Sequence, residues 1–294
     1  MPRRFLPAST ADNPWWAAWH FDPGLVLLLL TAATAYVLLY RAALRAGRRV
    51  PPRWQALAYL AGLASLALAL LGPPDYFGAM LFSAHMVQHL LLTLVAAPLL
   101  VLGRPAQVAL RGMRPRYRRA VLRCALGRPA VRGALAMLTH PLSVVLLTNG
   151  SLVVWHLPGL YEAALQSRPL HELEHACFFG TALLFWWVLV EPVPRHHRLS
   201  PTAALLVVFT TWIVGDLLGA TLTLTKAPLY PRYAELPKPW PVSPLDDQHL
   251  GGLIMWLGGG ACYVAVLLGM LVYPHVRQHP RPGPCAGTRL PPVL

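Results

Sequence analysis

Residues Ala79 to Leu102 read AMLFSAHMVQHLLLTLVAAPLLVL. No Asp, Glu, Lys or Arg interrupts the run, and it is longer than the roughly 20 apolar residues a bilayer crossing requires. A soluble core helix is shorter and shows a polar face. Of the five polar residues here, Ser83, His85, Gln88 and His89 crowd into the first half, and only Thr93 lies beyond it. This stretch reads as a membrane span with chemistry at one end.

Six further runs have the same character, bounded by breakers. They fall at about Leu25 to Tyr40, Trp54 to Leu71, Leu135 to Trp155, Leu170 to Val190, Ala203 to Leu224 and Leu250 to Tyr273. Gly72-Pro73-Pro74 stops the second span and Glu191-Pro192 the fifth. The fourth is short and holds His140-Pro141. The expectation is an all-α, polytopic membrane protein, a bundle of about seven transmembrane helices. An extracytoplasmic segment covers 1–24, the helical domain 25–273 and a cytoplasmic tail 274–294. The first run lacks the pattern of a cleaved signal and reads as a retained helix.

Composition agrees. The chain has 294 residues, 56% hydrophobic and 12% charged, about half the charged share usual in soluble domains. The formal charge of +14 would point to nucleic acid in a soluble protein. Here the arginines sit between apolar runs, where they orient a chain in a membrane, so no nucleic-acid partner is expected. The four cysteines, Cys124, Cys177, Cys262 and Cys285, are scattered without a CxxC pair, which argues against a disulfide framework or cysteine-based zinc site.

Arg41, Arg45, Arg48, Arg49 and Arg53 follow the first span. Arg104, Arg111, Arg114, Arg116, Arg118, Arg119, Arg123, Arg128 and Arg132 follow the third, Arg195 and Arg198 the fifth, and Arg277 and Arg281 the last. The alternating loops are poor in positive charge. Positive loops stay inside, so the N-terminus is placed outside and the C-terminus in the cytoplasm.

Orientation sorts the histidines. His20, His85, His89, His156, His171, His175 and His249, seven of the twelve, fall at the outer end. His140, His196, His197, His275 and His279 fall inside. His85 and His89 are four residues apart, as are His171 and His175, a spacing that puts each pair on one helix face. Two pairs could supply four nitrogens to one metal ion or to two adjacent ones. Imidazole suits copper and zinc, and the affinity order favours copper. His156 is a fifth ligand or supports one. Met80, Met86 and Met255, near the same end, are candidate copper(I) ligands. Asp246 caps the last span, and Asp247 caps it too or orients a ligating histidine. Gly251-Gly252 would allow close helix approach.

Rival readings exist. His171-Glu172-Leu173-Glu174-His175 fits H-E-x-x-H, the zinc and general-base motif of metalloproteases. Bis-histidine haem would make the chain a membrane electron-transfer protein, with histidines from two facing helices. A retinal protein is not expected, because the last span has no Lys for a Schiff base.

The sequence resembles one family. His85-Met86-Val87-Gln88-His89, Trp155-His156-Leu157-Pro158-Gly159-Leu160-Tyr161, His171 through His175, Pro228-Leu229-Tyr230, and Asp247-Gln248 with Gly251-Gly252-Leu253-Ile254-Met255-Trp256 occur in its order. It is the CtaG family of assembly factors for caa-type cytochrome c oxidase, not the single-span cysteine-based copper protein of the same name. The resemblance covers roughly spans two to seven. It implies a seven-helix plasma-membrane protein, not an enzyme, needed to form active oxidase, with oxidase subunits as partners and copper delivery as its role. The family's histidines carry over to His85, His89, His156, His171 and His175. His249 stands where the family has Gln, and the Arg-rich loop after span three is longer than the family's.

Overall fold

Proline starts most of the helices. It is a good first helical residue, because its fixed φ is already helical and its missing N–H would be unpaired there anyway. Among the described residues nine helices open on one: Pro23, Pro73, Pro105, Pro115, Pro129, Pro141, Pro158, Pro201 and Pro244. Side chains cap several of these ends. Asp22 accepts from Leu25 N–H at 2.9 Å, Ser200 from Ala203 N–H at 3.1 Å and Ser243 from Asp246 N–H at 3.0 Å. The cap bond holds the Asp22 carboxyl below its usual pKa.

The computed structural model describes residues 18–190 and 199–278. Arg195, Arg198, Arg281, His196, His197, His279, Cys285, Glu191-Pro192 and most of segments 1–24 and 274–294 lie outside the described residues.

The chain is helical in α1 (Pro23–Arg45), α2 (Arg53–Leu71), α3 (Pro73–Gly78) and α4 (Phe82–Leu90). A π-helical turn, Leu91–Ala96, joins α4 to α5 (Ala97–Leu102). Then come α6 (Pro105–Gly112), α7 (Pro115–Leu126), α8 (Pro129–Leu138), α9 (Pro141–Trp155) and α10 (Pro158–Gln166). They are followed by α11 (Arg168–Val190), α12 (Pro201–Leu224), α13 (Arg232–Glu235) and α14 (Pro244–Leu253). A second π turn, Ile254–Gly259, leads into α15 (Gly260–Gln278). Among the described residues six spans are long and apolar enough to cross a membrane, or seven if α8 and α9 count as one. The expected loops after spans three and four are themselves helical.

Span four differs from the expected single helix from Leu135 to Trp155. It is broken at His140, with α8 and α9 bent by 62°. Pro141 removes a backbone donor and pushes the preceding residue out of the helical region. His140 is extended, at φ −66° and ψ 138°, and its Nδ1 accepts from Leu142 N–H.

The π turn in span three has a local cause. Pro98 offers no N–H to the carbonyl of Thr93, five residues back. That carbonyl instead accepts from the Trp186 indole of α11 at 2.8 Å. The turn thereby fastens span three to α11.

Small residues set the tightest crossings. A Cβ on Gly62 of α2 would come 2.9 Å from the backbone N of Leu100 in α5. A Cβ on Gly252 would come 2.8 Å from Thr223 N, and one on Gly219 2.9 Å from Trp256 N, so α12 and α14 touch backbone to backbone. Gly252→Ala is therefore expected to cost about 1–3 kcal/mol by overpacking, read as a lower thermal midpoint in detergent. Gly215→Ala, where no neighbour lies within 4 Å, is the control and should be neutral.

Candidate metal centre

The site begins with an acid. Asp247 of α14 is buried, and its carboxylate accepts from the N–H of Phe82 at 2.7 Å, the N–H of Ser83 at 3.2 Å and the hydroxyl of Ser83 at 2.5 Å. These are first-turn donors of α4, which otherwise have no helical partner. A negative charge there is also favoured by the helix dipole. Lys238 completes the arrangement, 3.6 Å from Asp247 and donating to the carbonyl of Met80 at 3.0 Å. Burial pulls the pKa of Lys238 below the usual lysine value, against the attraction of Asp247. Of the two readings for Asp247, capping the last span or orienting a ligating histidine, its hydrogen bonds match neither: it caps α4, the helix that carries His85 and His89.

Those two imidazoles face inward, both buried, with Nε2 atoms 2.8 Å apart. Helix α11 brings its own pair alongside. The ring centroids of His85 and His171 are 5.2 Å apart, those of His89 and His175 5.3 Å, and those of His171 and His175 4.2 Å. Between the pairs lies Glu174, fully buried, with its oxygens 3.9 Å from His85 Nε2 and 3.8 Å from His89 Nε2. His156, at the end of α9, closes the group 6.2 Å from His89 by ring centroid. All five expected histidines therefore meet at one end of the bundle.

Two sets of donors lie within 4.8 Å of one another: His85, His171 and His175, and His85, His89 and Glu174. Two ligands each 2.0–2.1 Å from a tetrahedral ion sit about 3.3 Å apart. The spacings of 2.8, 3.8 and 3.9 Å bracket that value, so small side-chain shifts would close them on an ion. His89 Nδ1, His156 Nε2, His175 Nε2 and both Glu174 oxygens are buried with no hydrogen-bond partner. Orphaned polar atoms are costly in a dry interior, and these five belong to side chains that meet in one cluster. The donor set fits a divalent ion.

The tautomers also fit. His156 Nδ1 lies 2.8 Å from the carbonyl of Leu152, which can only accept, so Nδ1 carries the proton and Nε2 the free lone pair. Burial lowers the His156 pKa to about 4, so the ring is neutral. His85 Nδ1 is 3.1 Å from the Tyr161 hydroxyl and 3.2 Å from that of Tyr233. The two hydroxyls are 3.0 Å apart, and Tyr233 donates to the carbonyl of Gly78 at 3.2 Å. Burial holds both phenols well above the usual tyrosine pKa, so they stay protonated. This network occupies His85 Nδ1 and leaves Nε2 to face His89 and Glu174.

Other candidates stand apart. His249 Nε2 bonds the carbonyl of Thr225 at 2.8 Å, away from the cluster. His20 is exposed, 3.7 Å from Asp75. Met86 and Met255 pack with Phe82, Tyr161, Tyr230 and Tyr233 in an aromatic core. Ser243, not Asp246, is the first cap of α14, and it bonds Asp246 in return. In the H-E-x-x-H motif the glutamate that would act as base, Glu172, is exposed and ion-paired with Arg168 at 2.7 Å. It points away from the imidazoles, so the motif is not assembled as in a metalloprotease.

The profile of the family described as cytochrome c oxidase caa3 assembly factor, Caa3_CtaG, matches residues 34–274. The chain belongs to this CtaG family. The match contains every donor named above. Among curated proteins, this CtaG chain is 26% identical over 274 residues to an uncharacterized protein of Mycobacterium leprae, covering 90% of the chain and 41% of that protein. It is 27% identical over 248 residues to uncharacterized proteins of Mycobacterium bovis and Mycobacterium tuberculosis, covering 81% of the chain and 36% of each. The chain thus spans about two fifths of the length of these relatives. No solved structure matches it.

Sequence reasoning missed Glu174 as a site residue of this CtaG chain. Its signal was present. His171, Glu174 and His175 stand at i, i+3 and i+4, one helix face, whereas Glu172 at i+1 does not. The H-E-x-x-H pattern drew the reading to the wrong acid. Tyr233 had no such signal, since its hydroxyl reaches His85 across 148 residues of chain.

Proposed function

We propose that this chain is a plasma-membrane assembly factor for cytochrome c oxidase that holds copper as cargo and passes it to an oxidase subunit. The ligands in this reading are His85, His89, His156, His171 and His175, joined by Glu174. The observation that carries it is the convergence of those side chains, with five orphaned donor atoms among them. The distribution of basic loops supports an outward orientation of this end of the bundle, where an oxidase copper centre could receive the ion. Imidazoles with one carboxylate suit copper(II) or zinc, and the affinity order favours copper. Haem fits less well, because a macrocycle must sit between imidazoles of two facing helices, and those of α4 and α11 are only 5.2 and 5.3 Å apart by ring centroid, with Glu174 beside them. The role is one of binding and transfer, without catalysis.

The test is metal retention. Protein purified with copper(II) and washed should keep stoichiometric copper, and a strain lacking it should make oxidase short of copper. Washed protein free of metal sinks the reading. Glu174→Gln probes the charge balance. A buried carboxylate offsets one charge of a divalent ion in a medium that penalises net charge. Its loss should weaken copper(II) at least as much as the about 10–100-fold typical of outer-shell partners, read by chelator competition. An unchanged affinity would remove Glu174 from the ligand set.

A further inference from the structure

Arg104 to Arg132 contribute nine arginines, and no Asp or Glu occurs anywhere from Tyr76 to Tyr161. The candidate metal site uses none of the residues from Arg104 to Arg132. At the centre of the stretch is α7, twelve residues long. No side chain described in α7 is buried.

The helix is two-faced. Arg116, Arg119 and Arg123 stand at i, i+3 and i+7, along one side. Tyr117, Val121 and Cys124 stand at i, i+4 and i+7, along the other. Tyr117 is 53% and Val121 43% exposed, and Cys124 is exposed with them. In a helix hanging in water that apolar side would be unpaid for. Arg116 donates to the Tyr117 hydroxyl and Arg119 to the carbonyl of Pro115, both partners within α7 itself.

Its height relative to the bilayer follows from the spans. Phe82 to Leu102 is about 31 Å of helix at 1.5 Å per residue, one hydrocarbon thickness. Chain beyond Gly103 has therefore reached the membrane face opposite His85. The segment just before α7 is tied down there: Arg48, between α1 and α2, donates to the carbonyls of Arg111 and Met113, and Arg111 donates back to the carbonyl of Arg49 at 2.7 Å. After α7 the chain must enter α9, a span of about 22 Å that needs part of α8 to cross. Both ends of α7 are thus pinned at the interface.

We propose that α7 is an interfacial helix lying on an anionic phospholipid surface, with Tyr117, Val121 and Cys124 in the acyl boundary and Arg116, Arg119 and Arg123 in the headgroup layer. Apolar burial and arginine–phosphate attraction then act on one helix. The occupant is lipid because the cationic stretch carries no acid of its own and the exposed apolar side belongs to a helix whose two ends lie at the level where the spans end.

The exposed Cys124 supplies the probe. With Cys177, Cys262 and Cys285 changed to Ala, a nitroxide at Cys124 is placed in nanodiscs of phosphatidylcholine alone or of equal parts phosphatidylcholine and phosphatidylglycerol. Accessibility to oxygen against a water-soluble nickel chelate reports depth. In the anionic discs the label should be lipid-facing, and more so than in the neutral discs. Each arginine near an anionic surface favours it about fivefold, so Arg116→Gln, Arg119→Gln and Arg123→Gln together should shift the docked-to-undocked ratio by about a hundredfold. High salt should act in the same direction. Should the triple variant misfold, the two lipid mixtures with the otherwise unaltered chain still decide. A water-exposed label in both mixtures overturns the proposal and leaves the surface to an acidic protein. Equal burial in both, insensitive to salt, overturns the anionic requirement.

Discussion

Protein carrying His85→Ala and His175→Ala together is expected to lose copper affinity by well over the about hundredfold that marks loss of an outer-shell partner, and to come through washing with no metal. His85 belongs to both donor sets, and His175 Nε2 is one of the orphaned atoms. Their removal breaks each set at once. The apo-protein should remain folded, because His85 is held to α10 and α13 only through the hydroxyls of Tyr161 and Tyr233, which keep each other and the carbonyl of Gly78 as partners. The check is copper per chain after chelator wash, beside the thermal midpoint of the apo form. Metal lost with the midpoint kept identifies ligands. Metal kept, with oxidase activity intact in cells, removes copper carriage from the proposal. Metal lost with a collapsed midpoint would instead assign the histidines to packing.

Asp247→Ala should have the largest effect on stability. One buried carboxylate holds the first turn of α4 through three hydrogen bonds and faces Lys238. Removing it leaves two backbone donors, a hydroxyl and an ammonium without their acceptor. Hydrogen bonds to charged groups are worth about 1.5–3 kcal/mol each, and breaking a buried ion pair on one side costs about 3–5 kcal/mol. Both charges here are largely buried, with side chains 14% and 2% exposed, so little of that is lost to solvent screening. The two figures describe the same lost carboxylate and are not summed, so about 3–5 kcal/mol is expected, seen as a large fall in thermal midpoint. Asp247→Asn keeps an acceptor and the shape, and should cost roughly half. Metal affinity should fall in both variants, because α4 carries His85 and His89. If Asp247→Ala leaves the midpoint unchanged, the cap does not hold this end of the bundle.

These two experiments separate what is chemical at the site from what positions it. His89, His156 and His175 each carry an unpaired nitrogen, whereas Asp247 is engaged by its contacts. Depletion of metal alone identifies ligands; depletion with loss of stability identifies the frame.

Much of this was legible along the chain. The long apolar runs were readable as helices able to span a membrane, because a bilayer demands about 20 apolar residues and forbids unpaired backbone. The pairs His85 with His89 and His171 with His175 were readable because i,i+4 is a local, helical relation. Gly252 was readable as a contact residue for the same kind of reason, since small residues mark close crossings. By contrast, the bend at His140 required knowing that α9 could turn away from α8. The role of Asp247 was hidden because its partners, Phe82 and Ser83, lie 165 and 164 residues away. Glu172 and Glu174 show the limit most clearly. Both flank the same histidines, and only the packing of α11 against α4 decides that one is paired with Arg168 in the open and the other buried between imidazoles. Local periodicity and hydropathy, which act within a turn or a span, thus settled the helices and the histidine pairs from sequence alone. Which acid enters the centre, which caps a helix and how the pairs face each other are contacts between distant elements, and only the packed bundle decided them.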